Sequence, residues 1–308
     1  MGGDAAVEFV DDRGRERAER IARAVENEAR RIEWKFSRYR DASVISEINR
    51  NAGRTPVAVD EETDMLVESA IDLAGLTGGR FDPTVGALRR AWDFRSGRVP
   101  PEREIAALLP FVNAAAVSRR NRTVFLRLAG MEIDLGGIGK EYAVDRAAQI
   151  LRDEGIRAAI VNFAGDVRTI GSRADGRPWS VGVADPRDRA RSRFAVRVLG
   201  DAGIATSGDY ERCFVKDGVR YHHILDATTG WPARGVASAT VVAATAFRAG
   251  RFATASFLLG AEAGLSLLEN AEGVEGTLIT EEGTTVATTG MRDLSNLPGS
   301  IYAACPGL

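Results

Sequence analysis

The sequence predicts an α+β fold in which helices and antiparallel strands alternate within one compact unit. Some segments place apolar residues at helical spacing, as in the stripe Ile21, Val25, Ile32 and Phe36, whereas others are short apolar runs between turn residues. No Ser/Gly-rich linker and no repeat of fixed period divides the 308 residues. We therefore expect a single domain over residues 1–308.

Helices are predicted where one face is apolar and where helix-ending signals follow. Arg15–Phe36 carries the apolar stripe between Arg and Glu residues, and Glu61–Leu76 is followed by Gly78-Gly79, the usual C-terminal glycine signal. Pro100-Pro101 is expected to open a short helix. Residues 140–155 and 251–259 complete the predicted helices.

Strands are predicted where roughly four to eight apolar residues stand between turn residues. These strands are residues 5–10, 156–163, 179–183, 194–199 and 237–243, with a closing pair within 276–287. Residues 123–128 and 131–135 flank Ala129-Gly130, and we expect them to pair as a hairpin.

The composition is that of an ordinary globular protein. Charged residues make up 27% of the chain, and 41 basic against 43 acidic side chains give a formal charge of -2, so a nucleic-acid partner is not expected. No apolar run reaches the roughly 18 residues that a membrane span needs. We expect a cytoplasmic protein as the sequence is written, or a periplasmic one if a leader has been removed. Cys213 and Cys305 match no metal or redox spacing.

Five segments contain more glycine and polar residues than their apolar surroundings require. They are GGRFDPTVGALRRAWDF (78–94), IDLGGIGKEYAVD (133–145), VNFAGDV (161–167), IATSGDY (204–210) and HILDATTG (223–230). Gly136, Gly137 and Gly139 precede a helix whose free N–H groups favour an anion, although a purely structural turn would use the same glycines. Thr206 and Ser207 offer hydroxyls beside a glycine, in a binding loop or an ordinary turn.

The order of these segments resembles that of the ApbE family, the FAD:protein FMN transferases. FDPTVGALRRAW is similar to the family's Phe-Asp-Pro-Thr-Val-Gly-Pro-Leu…Trp, and DLGGIGKEYAVD to its Asp-Leu-Gly-Gly-Ile-Ala-Lys-Gly-Tyr-Ala-Val-Asp. IATSGDYER and HHILDATTGWPA resemble its Thr-Ser-Gly-x-Tyr and His-Ile-x-Asp-Pro-x-Thr-Gly-x-Pro, and SRYRDASVISEIN and the first three residues are also similar. The resemblance implies an ApbE-like, T-fold-like domain.

The resemblance also implies a reaction and a set of site residues. The family moves FMN from FAD to a Ser/Thr hydroxyl of a target protein with loss of AMP and with help from Mg²⁺, so FAD and a flavin-acceptor protein are the expected partners. The implied catalytic residues are His223 and Asp226, an imidazole and a carboxylate three residues apart that suit proton transfer at a phosphoryl centre. The implied FAD-binding residues are Met1, Tyr39, Phe81, Asp82, Lys140, Tyr142, Asp145, Thr206, Ser207, His223 and Ile224.

The implied magnesium site departs from the family pattern. It would use the carbonyl of Gly139, position 250 and Thr254, but Gly250 stands where the family has an aspartate. Because Mg²⁺ usually needs a carboxylate, we expect a weakened site that Gly250→Asp would restore. Glu141 replaces a family glycine and would either add back a carboxylate or repel the pyrophosphate, and Ala164 replaces another family glycine.

Two alternative functions are open, and this departure favours only the first. A paralogue that lacks the metal ligand at Gly250 would bind FAD without catalysis. An FAD pyrophosphatase would release FMN and AMP, and it would need the same metal. We keep transfer of FMN as the principal hypothesis.

Overall fold

The structure is a computed structural model that describes residues 4–294, apart from the side chain of Arg292. The helices are α1 (Arg15–Phe36), α2 (Val44–Arg50), α3 (Glu61–Leu76), α4 (Glu102–Leu108), α5 (Gly139–Asp153), α6 (Ala246–Leu259), α7 (Ala261–Glu269) and α8 (Met291–Leu294). The strands are β1 (Ala5–Phe9), β2 (Val57–Ala58), β3 (Val117–Arg120), β4 (Thr123–Leu126), β5 (Ala159–Phe163), β6 (Asp166–Ile170), β7 (Trp179–Ala184), β8 (Ser192–Val198), β9 (Ala202–Gly208), β10 (Cys213–Lys216), β11 (Val219–His222), β12 (Leu225–Asp226), β13 (Trp231–Pro232), β14 (Val236–Ala243), β15 (Glu275–Thr280) and β16 (Thr285–Ala287). Within residues 4–294, no helix is both long enough and apolar enough to cross a membrane. Met1 and Cys305 lie outside the described residues.

The chain divides into two compact units. Unit 1 consists of the described parts of Met1–Ile32, Lys140–Gly208 and Gly235–Leu308, and unit 2 consists of Glu33–Gly139 and Asp209–Arg234. The expectation of one domain over residues 1–308 stays a prediction.

Unit 1 is built on a seven-stranded antiparallel sheet with the order β1-β5-β6-β9-β14-β15-β16. All eight residues of β14 are buried, because α6 packs on β9 and β14 and β14 has a strand on each side. Its sequence, VASATVVA, is apolar or small throughout, as expected of a central strand. The sheet, α5 and α6 together carry the predicted site residues of this unit.

Unit 2 contains a three-stranded sheet, β2-β4-β3, and the two ribbons β10-β11 and β12-β13. Its core includes Trp92, whose ring contacts the rings of Tyr221 and Trp231. The indole Nε1 of Trp92 donates a hydrogen bond of 2.8 Å to the carbonyl of Gly230. Gly230 has φ 74°, and a Cβ there would lie 2.4 Å from Ile105, so only glycine fits this turn.

Most predicted helices and strands are confirmed, but one predicted pairing is wrong. Residues 131–135 form no strand, and β4 pairs instead with β3 and β2. The turn that leads into β4 is Asn121-Arg122, where both residues have positive φ, as a two-residue hairpin turn requires. The N–H of Ile133 donates a hydrogen bond of 2.7 Å to the side-chain oxygen of Asn49, so it is not used in strand pairing.

Candidate functional site

The predicted site residues fall in both units. In unit 2 lie Tyr39, Phe81, Asp82, Gly139, His223, Ile224 and Asp226, and in unit 1 lie Lys140, Tyr142, Asp145, Thr206, Ser207, Gly250 and Thr254. Met1 lies outside the described residues. The two groups differ in how their side chains are held.

Asp82 of unit 2 is buried and holds the loop that follows α3. One carboxylate oxygen accepts hydrogen bonds from the N–H of Thr84 at 2.7 Å and from its hydroxyl at 2.5 Å, and the other accepts from the N–H of Ala114 at 2.7 Å. Burial raises the pKa of Asp82, and these hydrogen bonds oppose the rise. The carboxylate is therefore used by the protein's own loop.

The glycine-rich segment packs against the ring of Phe81. A Cβ on Gly137 would lie 3.1 Å from Cε2 of Phe81, and the N–H of Gly136 donates 2.8 Å to the carboxylate of Asp134. The N–H of Asp134 donates in turn to the carbonyl of Pro83, at 2.8 Å. Close neighbours thus give a structural reason for Gly136 and Gly137, whereas a Cβ on Gly139, the first residue of α5, would meet nothing within 4 Å. Anion binding at this turn stays a prediction.

The two adjacent histidines have different surroundings. His222 is fully buried on β11, and its Nε2 lies 2.9 Å from the carbonyl oxygen of Ala233. Burial lowers the pKa of His222 to about 4, so its ring is neutral at physiological pH. His223 is half-buried after the end of β11, where its N–H donates 3.1 Å to the carbonyl of Arg212. Of the two, His223 has the more accessible ring.

Asp226 is held by its own turn and by an arginine. It is buried, and one oxygen accepts from the N–H of Thr228 at 2.9 Å and from its hydroxyl at 2.6 Å. The other oxygen lies 3.0 Å from a guanidinium nitrogen of Arg80. This arrangement fixes residues 226–230, and the predicted part of Asp226 in proton transfer stays a prediction.

Two further predicted FAD contacts in unit 2 lie nearer the surface. The ring of Tyr39 is 74% exposed, and the guanidinium of Arg38 lies 5.5 Å from its centroid. Ile224 is half-buried, and its carbonyl accepts from the N–H of Ala233 at 3.0 Å. An exposed aromatic ring is available to stack on a planar ligand.

In unit 1, Asp145 on α5 holds the N-terminus of α6. Its two oxygens accept from the N–H groups of Ala246 at 3.0 Å and of Phe247 at 2.8 Å. Burial raises the pKa of Asp145 and the two N–H donors oppose the rise. The ring of Tyr142 lies edge-on to that of Phe247, with 6.1 Å between centroids. Asp145 thus positions the helix that carries Gly250 and Thr254.

Glu141 lies one turn before Asp145 on α5, and Gly250 lies one turn after Ala246 on α6. The side chain of Glu141 lies against Gly250. A Cβ on Gly250 would lie 2.5 Å from Cγ and 2.8 Å from Cδ of Glu141. The side chain of Glu141 therefore fills the space that a side chain at position 250 would enter, and the expectation that Gly250→Asp restores the metal site stays a prediction.

Glu141 belongs to a cluster of buried charges. Nζ of Lys140 lies 2.8 Å from Oδ2 of Asp166 and 3.3 Å from the carbonyl of Ala164. Burial, followed by the charge of Asp166, raises the pKa of Glu141 to about 8, while Lys140 opposes the rise. Burial also raises the pKa of Asp166, again against the effect of Lys140. The two carboxyl groups therefore compete for one ammonium group.

Hydroxyl groups complete the polar residues of unit 1. The hydroxyl of Ser207 lies 3.1 Å from that of Thr254, and the hydroxyl of Thr206 lies 2.9 Å from that of Thr240. Thr254 follows Gly250 by one turn of α6. The described residues, 4–294, contain no group of three or more His, Cys, Asp or Glu side chains that could hold a metal ion.

Sequence reasoning did not select Arg80 or Asp166 as functional residues. Both lie in glycine-rich segments whose composition was unusual, GGRFDPT and VNFAGDV. Charge inside such a segment was the available signal, because a charged residue beside a glycine turn is seldom buried without a partner.

The relatives of this chain point to one family. The ApbE family matches residues 1–278. The FAD:protein FMN transferase of Treponema pallidum (strain Nichols) is 34% identical over 279 residues, which cover 85% of this chain and 77% of that protein. The FAD:protein FMN transferase of a Vibrio cholerae serotype O1 strain is 32% identical over 274 residues, which cover 87% of this chain and 82% of that protein.

Solved structures show the same likeness and confirm the predicted ApbE-like α+β fold. The crystal structure of the ApbE protein from Thermotoga maritima has a TM-score of 0.86 and 36% sequence identity, with 95% of this chain and 96% of that chain covered. The flavin transferase ApbE from Vibrio cholerae has a TM-score of 0.84 and 30% identity, with 96% of both chains covered. The chain belongs to the ApbE family.

Proposed function

We propose that this chain is an FAD:protein FMN transferase. It takes FAD as substrate, moves FMN to a Ser/Thr hydroxyl of an acceptor protein and releases AMP. The observation that carries the proposal is the likeness, in sequence and in fold, to flavin transferases over most of the chain.

In this reaction the acceptor hydroxyl oxygen forms a bond to the phosphorus of the FMN half. The bond between that phosphorus and the bridging oxygen of the pyrophosphate breaks, AMP leaves with the bridging oxygen, and the hydroxyl proton passes to a base. His223 is the candidate base, because a histidine accepts a proton near neutral pH and the residue is only half-buried. His222 does not suit this role, since it is fully buried.

Magnesium is part of the proposal because unit 1 offers hard oxygen donors. Carboxylates of Glu141 and Asp166 and hydroxyls of Ser207 and Thr254 are ligands of the kind that Mg²⁺ prefers. Oε2 of Glu141 is buried and has no hydrogen-bond partner among residues 4–294, so the donor set fits a cation. When bound, Mg²⁺ would neutralise charge on the pyrophosphate and on the departing AMP.

The structure weakens the ground for the non-catalytic alternative. That hypothesis depended on the missing carboxylate at Gly250, and the side chain of Glu141 fills the same space. The pyrophosphatase alternative differs only in the acceptor, water instead of a protein hydroxyl.

The test is incubation of the purified chain with FAD, Mg²⁺ and a protein substrate of an ApbE-family transferase. We expect the mass of that substrate to rise by one FMN residue and AMP to appear in equal amount. His223→Ala should lower the rate by about 10² to 10⁴, the usual contribution of a general base, and should leave the fold intact. Release of FMN and AMP with no change in the mass of the protein would contradict transfer and support the pyrophosphatase.

A further inference from the structure

We infer that Glu141 is the carboxylate ligand of a divalent-cation site in unit 1, in the place that a side chain at position 250 would otherwise occupy. The inference deepens the proposed function and rests on it only for the role of the cation in transfer. The site itself is argued from the contacts of Glu141.

The first argument is the state of the Glu141 side chain. Glu141 is 8% exposed, and its Oε2 has no hydrogen-bond partner within the described chain. A buried carboxylate oxygen without a donor costs free energy and calls for a ligand. When Glu141 is ionised it is an acceptor-only group, and a metal ion is the ligand that would satisfy it.

The second argument is the local charge. Glu141 and Asp166 are neighbouring buried carboxyl groups: besides burial, the charge of Asp166 raises the pKa of Glu141, and a hydrogen bond from Glu141 opposes the rise that burial causes in the pKa of Asp166. Lys140 pairs with Asp166 at 2.8 Å, so one ammonium faces two carboxylates. When Glu141 ionises, a divalent cation would balance its negative charge in a way that a neutral hydrogen-bond donor would not.

The third argument is the fit between α5 and α6. Asp145 on α5 binds the N–H of Ala246, at the N-terminus of α6. Glu141 lies four residues before Asp145, and Gly250 lies four residues after Ala246, so Glu141 and Gly250 face each other one turn along the two helices. A Cβ at position 250 would overlap Cγ of Glu141, at 2.5 Å. A glutamate at position 141 and an aspartate at position 250 would therefore occupy the same space. Either residue alone would place a carboxylate there.

The fourth argument is the chemistry of the neighbours. Thr254 lies one turn after Gly250 on α6, and its hydroxyl meets that of Ser207 at 3.1 Å. These are all oxygen donors, which favours Mg²⁺ or Mn²⁺ over softer metals.

The test measures the binding of Mn²⁺ by electron paramagnetic resonance and calorimetry. Binding is measured first with Mn²⁺ alone and then with ADP added, because ADP carries a pyrophosphate as FAD does. Glu141→Gln keeps the shape of the side chain and removes its charge, and we expect it to weaken Mn²⁺ binding by about tenfold or more. Glu28→Gln is the matched control, because Glu28 is also in unit 1 but is already paired with Arg31 and Arg146. It should bind Mn²⁺ as the wild type does.

An exchange of side chains sharpens the test. Glu141→Gly should lose Mn²⁺ binding, and Glu141→Gly combined with Gly250→Asp should recover most of it. Gly250→Asp alone should not improve binding, because the new side chain would overlap Glu141. If that single variant does not fold, Glu141→Gln and the double variant still show whether Glu141 binds the cation.

The outcomes separate this inference from the proposed function. Unchanged Mn²⁺ binding by Glu141→Gln, or no Mn²⁺ binding by the wild type in either condition, overturns the inference. Weakened binding in Glu141→Gln with recovery in the double variant supports it, even if no FMN transfer is found. Mg²⁺-dependent transfer that Glu141→Gln leaves unchanged would sustain the function and overturn the inference.

Discussion

Asp226 in unit 2 and Glu141 in unit 1 are buried carboxyl groups with different surroundings. Asp226 accepts from the N–H and hydroxyl of Thr228 and pairs with Arg80. Glu141 keeps one oxygen without a donor among residues 4–294 and has Asp166 as a neighbour. The difference separates a carboxylate that holds a turn from a carboxylate that is ready for a ligand.

The contrast extends to Asp82 and His222 of unit 2, whereas in unit 1 Asp145 is a carboxylate that holds the start of α6. Asp82 of unit 2 accepts three hydrogen bonds from its own loop, and His222 lies beside the carbonyl of Ala233. Unit 1 instead places Asp166 and Glu141 around Lys140. Residues in segments that resemble the family's motifs can therefore hold the structure or be open to a ligand, and their hydrogen-bond partners distinguish the two cases.

The largest expected effect breaks the turn of unit 2. Asp226→Ala should lower the free energy of unfolding by about 3 kcal/mol, because it removes two hydrogen bonds within the turn and leaves Arg80 without that carboxylate. Urea unfolding followed by circular dichroism measures this. Asp72→Ala, at an exposed aspartate on α3 of the same unit, is the control and should cost no more than about 0.5 kcal/mol. Equal costs for the two variants would show that Asp226 does not hold the turn.

The second prediction concerns acid pH and His222. Its folded-state pKa of about 4 lies below the ordinary value of 6.5, so between these values the unfolded chain binds more protons than the folded one. Stability from this group is complete above pH 6.5 and is lost as the pH falls towards 4. His222→Gln, which cannot be protonated, should reduce that loss by about 2 kcal/mol. Parallel stability curves for wild type and variant would mean that the ring binds a proton as readily in the folded chain as in the unfolded one, and would contradict the lowered pKa.

The third prediction has the opposite sign and belongs to unit 1. The pKa of Glu141 is raised from 4.5 to about 8, so the folded chain holds the proton more tightly and stability falls as the pH rises between these values. Without divalent cations, Glu141→Gln should match the wild type below about pH 4.5. It should be more stable by on the order of 1 to 2 kcal/mol above about pH 8.

Denaturant titrations from pH 4 to 9 in EDTA measure the effect of Glu141→Gln, and added Mg²⁺ should narrow the gap by stabilising the wild type. Glu28→Gln provides the comparison, since two arginines lower the pKa of Glu28 and its loss should destabilise instead. A wild type whose stability does not fall towards pH 9 would contradict the raised pKa.

Much of the fold follows from local pattern. The bounds of α1 and α3 match those predicted, since each has a long apolar face and a clear end. The start of α6 was missed because Thr245, its N-cap, precedes small residues that carry little helical periodicity. Short elements such as α2 and the ribbon β12-β13 are too brief to show a period.

The site was less predictable than the fold, because its chemistry depends on contacts between distant segments. The motifs placed Glu141 and Gly250 in the right segments but did not show that they touch. Nor did they show that Asp145 caps α6, a contact that explains its buried carboxylate. Sequence spacing describes neighbours along one helix, and packing of two helices has to be observed.

The smallest expected effect concerns backbone strain beside the unit 1 carboxylates. Ala164 and Gly165 form the turn between β5 and β6, with φ of 51° and 94°, and Asp166 follows directly. An alanine in the left-handed region costs about 1 to 2 kcal/mol, whereas Gly230 in the unit 2 turn has no such cost.

Ala164→Gly relieves this strain but makes the unfolded chain more flexible, so we expect a net gain in the free energy of unfolding of about 0.5 to 1 kcal/mol. In a chain of this size the melting temperature should rise by roughly 1 to 3 °C. Gly165→Ala, the reverse change at the next residue, should lower it, and a fall in both variants would mean that contacts of the Ala164 methyl group outweigh the strain.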